Sequence, residues 1–280
     1  MKINVAKSAG FCFGVKRALK IAFGAASEET NVCMLGDIVH NEDVVSEIEK
    51  SGIRKIKKLS SGKNKTLLIC AHGTSHKTFK KAVKLGYKII DATCPMVHEI
   101  HRTAIEMEKK GYGIVIIGDN NHDEVKGIVG QLKREAIVIE NAKNIPLNKI
   151  RKMKKLAVVV QSTQNQEKVF KILNSLKPCT TDLKFFNTVC RPTRMKQQEM
   201  KIMPLENDLM IIIGSKTSAN TKRLYEISKS LNTRSYWIQS KAEIMKKWFK
   251  NAKNLGITAG ASTPDSTTQD IIKYIKQITR

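Results

Sequence analysis

The sequence predicts an α/β fold built from three similar units. Short apolar runs, rich in β-branched residues, alternate with segments of helical period along the whole chain. Residues with chemical potential recur at one place, just past the end of a run. The 280 residues and 41% hydrophobic content suit two or three modest cores better than a single small one.

The elements follow in order. Residues 2–6 alternate and read as a strand, and Gly10-Phe11-Cys12-Phe13-Gly14 forms a tight turn. Val15, Ala18, Leu19, Ala22, Phe23 and Ala26 then repeat at helical spacing. A strand over 32–36 leads to Val39-His40-Asn41, and a helix over 42–50 closes at Gly52. A strand over 67–70 ends in Ala71-His72-Gly73. The run 87–90 enters Asp91-Ala92-Thr93-Cys94-Pro95, and a helix over 97–109 leaves it, with Pro95 suited to the first turn.

The plan repeats twice. A strand over 114–118 is followed by His122-Asp123-Glu124 and a helix over 125–132, then a strand over 136–139. The β-branched strand 156–160 ends in Gln161-Ser162-Thr163-Gln164, with a helix over 165–176 behind it. A strand over 185–189 precedes Cys190, and a helix starts near Thr193. Strand 209–213 runs into Gly214-Ser215-Lys216 and a helix over 221–231, and further strands cover 234–238 and 257–259. Ser262 or Thr263 is expected to cap the last helix, with Pro264 in its first turn. The expected units are 13–94, 95–190, and 191–280 completed by 1–12, each of roughly ninety residues.

Charge and cysteine usage narrow the function. The net charge is +25, but the lysines are spread along the chain and only 5% of residues are aromatic, so a lysine-rich solvated surface is favoured over a nucleic-acid footprint. Such a surface still attracts an anionic substrate or an acidic electron-transfer partner. Apolar runs are too short to span a bilayer and the N-terminus lacks a signal-peptide core, so a cytoplasmic protein is expected. Its six cysteines are then expected to be reduced, metal-bound or catalytic.

Cys12, Cys94 and Cys190 each sit between a strand and a helix, where ligands bind in open α/β sheets and where a thiolate is favoured. Cys33 and Cys70 fall inside strands and read as small buried hydrophobes, and Cys179 lies in a loop. No Cys-x-x-Cys, P-loop, deaminase signature or Gly-x-Gly-x-x-Gly occurs. His40, His72 and His122 lie near Ser- and Asn-rich helix starts, a setting for an anion. His98 and His101 are expected to face outward, and they and His76 carry no assigned role.

Gly10-Phe11-Cys12-x-Gly14-Val15-x-Arg17-Ala18 resembles the opening motif of the LytB/IspH family of hydroxymethylbutenyl diphosphate reductases. Val39-His40-Asn41, Ala71-His72-Gly73, Asp91-Ala92-Thr93-Cys94-Pro95 and Thr188-Val189-Cys190 match its further motifs in order. So do Gly214-Ser215-Lys216, Ser218 with Asn220, and Thr258-Ala259-Gly260-Ala261-Ser262 with Pro264-Asp265. The resemblance implies a trefoil of three α/β units around one 4Fe-4S cluster, held by Cys12, Cys94 and Cys190 with one open iron. It implies diphosphate contacts at His40, His72, His122, Ser218, Ala219, Asn220 and Ser262, with Ser162 and Thr163 beside the reacting end. Glu124 becomes the proton-delivering residue. The implied reaction is the last step of the methylerythritol phosphate route to isoprenoids. It removes the hydroxyl of an allylic diphosphate, with electrons from an external donor such as ferredoxin or flavodoxin.

The chain departs from the family at several points. Asp123 stands where the family has proline, Ser162 where it has threonine, and Ala219 where it has a second serine. Arg191-Pro192-Thr193-Arg194 after Cys190 is also unusual. Two rival readings are a quinolinate-synthase-like enzyme, which shares three α/β units and a three-cysteine cluster, and a basic nucleic-acid-binding iron-sulfur protein. The His/Ser/Asn set and the Ala-His-Gly motif favour the reductase.

Overall fold

The computed structural model describes residues 1–279. The chain divides into two compact units. The first comprises residues 1–16, 39–46 and 191–280, and the second residues 17–38 and 47–190.

The first unit holds one sheet of β1 (Lys2–Val5), β10 (Leu209–Ile213), β11 (Ser235–Ile238) and β12 (Asn254–Ala259). All pairings are parallel, in the order β1-β12-β10-β11. The chain's first strand therefore lies in register with its last, Lys2 opposite Asn254 and Val5 opposite Ile257. Leu209, Ile211, Ile213, Leu255, Ile257 and Ala259 are buried against Ile271, Ile272 and Ile275 of α10 (Asp265–Ile278). Strands covered on both faces read as continuous apolar runs, which is how the run 209–213 was legible. Helices α8 (Arg191–Glu206) and α9 (Ala219–Leu231) complete the unit.

The second unit holds two parallel sheets. One has the order β3-β2-β4-β5, from β2 (Val32–Leu35), β3 (Arg54–Ile56), β4 (Thr66–Ile69) and β5 (Lys88–Asp91). The other has the order β7-β6-β8-β9, from β6 (Gly113–Ile117), β7 (Ile137–Ile139), β8 (Lys155–Val160) and β9 (Asp182–Phe185). Its helices include α3 (His76–Lys84), α4 (Pro95–Lys109), α5 (Asp123–Val129) and α7 (Gln166–Leu176). Each strand of a parallel sheet needs a crossover before the next, which is the alternation seen in the sequence. Helices α1 (Phe13–Glu28) and α2 (Glu42–Lys50) follow the first and second strands, and a one-turn α6 (Leu147–Ile150) precedes β8. No helix of the described residues is long and apolar enough to cross a membrane.

Four expectations need correction. The strand expected over 185–189 is β9 at Asp182–Phe185. Past it, the side chain of Thr188 replaces the ladder: its Oγ1 accepts from Val160 N at 2.8 Å and donates to Val160 O at 2.5 Å. The last helix is capped by neither Ser262 nor Thr263, because Pro264 is its N-cap residue and makes no side-chain cap bond. Thr263 Oγ1 donates instead to Ile213 O at 3.1 Å. Helix α3 was not expected, since only Ala82 of its residues is buried and its apolar stripe is too sparse to read. His101 does not face outward; with Val97, Ile100, Ala104 and Met107 it forms the buried stripe of α4.

Candidate functional site

Each of the three strand-end cysteines sits one residue ahead of a helix: Cys12 before α1, Cys94 before α4 and Cys190 before α8. In each case its backbone N–H is fixed by the loop behind a neighbouring strand. Cys12 N donates to Ala261 O at 3.1 Å, Cys94 N to Ala71 O at 3.0 Å, and Cys190 N to Ser162 O at 3.0 Å. Ala261 precedes Ser262, and Ala71 precedes His72. Every cysteine is thus stitched to a residue at, or next to, an expected substrate-binding side chain.

These three residues are partly exposed, and Cys12 Sγ accepts the Val15 N–H at 3.5 Å from the first turn of α1. None of the six cysteines is disulfide-bonded. Cys33 and Cys70 are different. Both are buried, and burial raises their thiol pKa, to about 12 for Cys70. A thiolate is disfavoured at both, and neither sits one residue ahead of a helix as the first three do. The donor set therefore fits a thiolate-ligated iron-sulfur group at the first three and not at the last two. Cys179 ends a short turn, and its thiol donates to Ser175 O at 3.4 Å. Among the described residues no three His, Cys, Asp or Glu side chains form a metal-holding group.

In the second unit, Glu124 lies in the first turn of α5 and is only 2% exposed. Its Oε1 accepts the Ser162 N–H at 2.6 Å and its Oε2 the Ser162 hydroxyl at 2.7 Å. Burial pushes its carboxyl up to about 7, against the opposing effect of the two Ser162 bonds. Asp123 beside it is exposed and lies 3.9 Å from Lys126. The alternation of faces at the helix start separates these adjacent carboxylates. His122 caps α5, its Nδ1 accepting the Glu124 N–H at 3.1 Å, and its ring meets that of His72 edge-on at 5.6 Å.

Thr163 is half-buried, and its Oγ1 accepts from Gln161 Nε2 at 3.1 Å. The other end of that amide, Gln161 Oε1, accepts the Asp119 N–H at 2.9 Å. Gln161 ties the loops after β6 and β8 together, a role the sequence reading missed. Only its place between a strand and the Ser162-Thr163 pair offered a signal.

In the first unit, Asn41 caps α2, its Oδ1 accepting the Val44 N–H at 3.1 Å. The preceding residue, His40, receives the Ser262 hydroxyl on its carbonyl at 2.9 Å. Ser218 caps α9, its Oγ accepting the Thr221 N–H at 3.3 Å. Ala219 and Asn220 follow in the first turn, both buried. Asn220 is 4% exposed, and neither its Nδ2 nor its Oδ1 has a hydrogen-bond partner. An amide buried with both ends unmet is costly, roughly 1–3 kcal/mol for each unsatisfied group. At a helix N-terminus that arrangement suits an anionic ligand which restores the bonds.

Of the buried charged or titratable side chains that escaped the sequence reading, two lie on α8 and α4. Lys196 of α8 is 1% exposed. The signal was available: Thr193, Lys196, Gln197 and Met200 are spaced as one helical face, and that face is buried. The other is His101, which burial lowers to about 4 and so keeps neutral.

A family model described as LytB protein matches residues 3–276. The 4-hydroxy-3-methylbut-2-enyl diphosphate reductase of Geobacter metallireducens is 37% identical over 281 residues, covering 99% of this chain and 98% of the relative. That of Aquifex aeolicus is 37% identical over 280 residues, covering 99% and 96%. Among solved structures, one of (E)-4-hydroxy-3-methyl-but-2-enyl diphosphate reductase, described as the terminal enzyme of the non-mevalonate pathway, superposes with a TM-score of 0.73. It is 36% identical, with 99% of this chain and 100% of that chain covered. The Plasmodium falciparum reductase superposes with a TM-score of 0.89 at 28% identity, covering 100% and 88%.

Proposed function

The chain belongs to the LytB protein family, and on that premise we propose that it reduces (E)-4-hydroxy-3-methylbut-2-enyl diphosphate to isopentenyl and dimethylallyl diphosphate. The observation that carries this reading is the Glu124–Ser162 pair. A carboxyl that titrates near neutrality is held by both oxygens on Ser162, whose own carbonyl receives the Cys190 amide. A proton donor and a candidate cluster ligand are thereby joined through one serine.

The cofactor proposed is a single 4Fe-4S cluster held by Cys12, Cys94 and Cys190, with the fourth iron open to substrate. When bound, it supplies the reducing electrons and a Lewis-acidic centre at the substrate hydroxyl. The protein does the rest. His40, His72, His122, Ser218, Asn220 and Ser262 hold the diphosphate, with backbone N–H groups of the helix starts, the Ala219 region included. Binding energy from that remote end fixes the allylic alcohol against the acid. Glu124, with Ser162 and Thr163 at the reacting end, delivers the proton that lets the hydroxyl leave as water. The remaining balance is two electrons and one further proton at carbon. The electrons come from an external carrier, of ferredoxin or flavodoxin type, in the cytoplasm. The units proposed for this architecture remain 13–94, 95–190, and 191–280 with 1–12.

Anaerobic reconstitution with iron and sulfide, followed by turnover with a reduced viologen dye, tests the reading. Isopentenyl and dimethylallyl diphosphate are the expected products. A cluster-loaded protein that releases neither would overturn it.

A further inference from the structure

We infer that Lys196 is a positioning residue whose buried ammonium locks the Cys12 loop and the Ser262 loop into one rigid cradle. The inference rests on the reading above, which makes Cys12 a cluster ligand and Ser262 a diphosphate contact.

The observation is a buried ammonium whose bonds reach backbone carbonyls on two separate segments. Lys196 Nζ donates to three backbone carbonyls: Ser8 O, Gly10 O at 3.0 Å and Ala259 O at 3.0 Å. An ammonium has three N–H groups, and each finds an acceptor. Burying it otherwise would be strongly unfavourable. Two of the carbonyls belong to the loop at residues 8–12 and the third to the last residue of β12, which opens into the loop at residues 260–262.

Those loops are already stitched by Gly10 N to Ala259 O at 3.4 Å and Cys12 N to Ala261 O at 3.1 Å. Gly10 has φ +87°, and a Cβ there would lie 2.3 Å from Asp265 Oδ1, so glycine is required where the loops meet. One turn along α8, Glu199 accepts the Ser8 N–H at 3.1 Å and the Ser8 hydroxyl. Helix α8 therefore grips the first loop twice and the second once. Without the ammonium, three carbonyl dipoles would point their negative ends at one another in a dry interior, and the loops would part. Cys12 is two residues from a gripped carbonyl, and Ser262 is three. The lysine also fixes a positive charge close to a ligand loop, which favours the reduced, more negative form of a bound cluster.

The test uses cluster-loaded wild type, Lys196→Met and Lys196→Arg, with iron and sulfide content, midpoint potential and inorganic pyrophosphate affinity as readouts. Methionine keeps the stem and removes the donors and the charge. It is expected to shift the potential negative and weaken pyrophosphate roughly tenfold, the scale of a lost charged hydrogen bond. Arginine, which retains cation and donors, is expected to recover a substantial part of both. A Lys196→Met protein with wild-type iron content, potential and pyrophosphate affinity overturns the inference while leaving the reductase reading intact. Wild-type protein that holds no cluster overturns that reading, and this inference with it. Should Lys196→Met not fold, Glu199→Gln decides. It loosens the same loop from its other anchor and is expected to weaken pyrophosphate about threefold; unchanged affinity and potential there are the overturning result.

Discussion

Glu124 holds Ser162 at two points, the amide on Oε1 at 2.6 Å and the hydroxyl on Oε2 at 2.7 Å. A carboxylate buried this deeply stays near neutrality in its pKa only because burial outweighs both bonds. Glutamine at 124 preserves the shape but cannot give a carboxyl proton. Turnover in Glu124→Gln is expected to fall roughly a hundred- to ten-thousandfold, the range of general acid catalysis. Asp123→Asn should change it little, because Asp123 is exposed. Steady-state rates of the two variants at matched cluster content decide; near-normal turnover in the glutamine variant would assign the proton elsewhere.

The pH dependence has a definite sign. Glu124 must be protonated to donate, so kcat is expected to decline as pH rises through about 7. The Ser162 hydroxyl lowers that pKa, so Ser162→Ala should move the alkaline limb to higher pH. Stability runs the same way: the group binds its proton more tightly when folded. Its contribution is full below its ordinary value of 4.5 and lost as pH rises through about 7. A kcat profile whose alkaline limb stays put in Ser162→Ala would contradict the pairing.

Iron and sulfide content should separate the cysteines into two classes. Serine at Cys12, Cys94 or Cys190 is expected to reduce both sharply. Cys33→Ser should leave them near wild type, because that thiol is buried and biased against ionising. Full iron and sulfide in Cys94→Ser would break the assignment.

Asn220→Ala separates binding from folding. Its amide makes no hydrogen bond, so truncation removes two unsatisfied polar atoms from the interior. The melting temperature should hold or rise, while pyrophosphate affinity falls about tenfold. A drop in melting temperature with unchanged affinity would make Asn220 structural.

The strands and their terminal loops were legible because a doubly covered parallel strand is apolar throughout and its chemistry gathers at one end. Residues 209–213 and 156–160 show this directly. What escaped was set by tertiary contact. Thr188 completes the edge of β8 with a side chain, which no period reveals. Lys196 and His101 are polar residues on buried helical stripes, where polarity argued for exposure and spacing argued against it. At both positions spacing was the better guide.

His101 gives the last prediction, in acid stability. It is 7% exposed, wedged under the turn at Gly73, where φ is +75° and a Cβ would lie 2.9 Å from its Cε1. Burial is the main cause that lowers its pKa from 6.5 to about 4; neighbouring His98 lowers it further, and Asp91 opposes. The unfolded chain therefore binds the proton more readily than the folded one. Stability from the neutral ring is full above pH 6.5 and is lost as pH falls through about 4, amounting to at most about 3 kcal/mol. His101→Leu places an apolar side chain on the same stripe with Val97, Ile100 and Ala104 and cannot titrate. Urea unfolding of both proteins between pH 7.5 and pH 4 isolates the effect, since all other groups titrate in both. The wild type should lose stability relative to the leucine variant across that window. A difference that does not change with pH would mean the ring reaches solvent or a proton acceptor, and the buried neutral imidazole would be excluded.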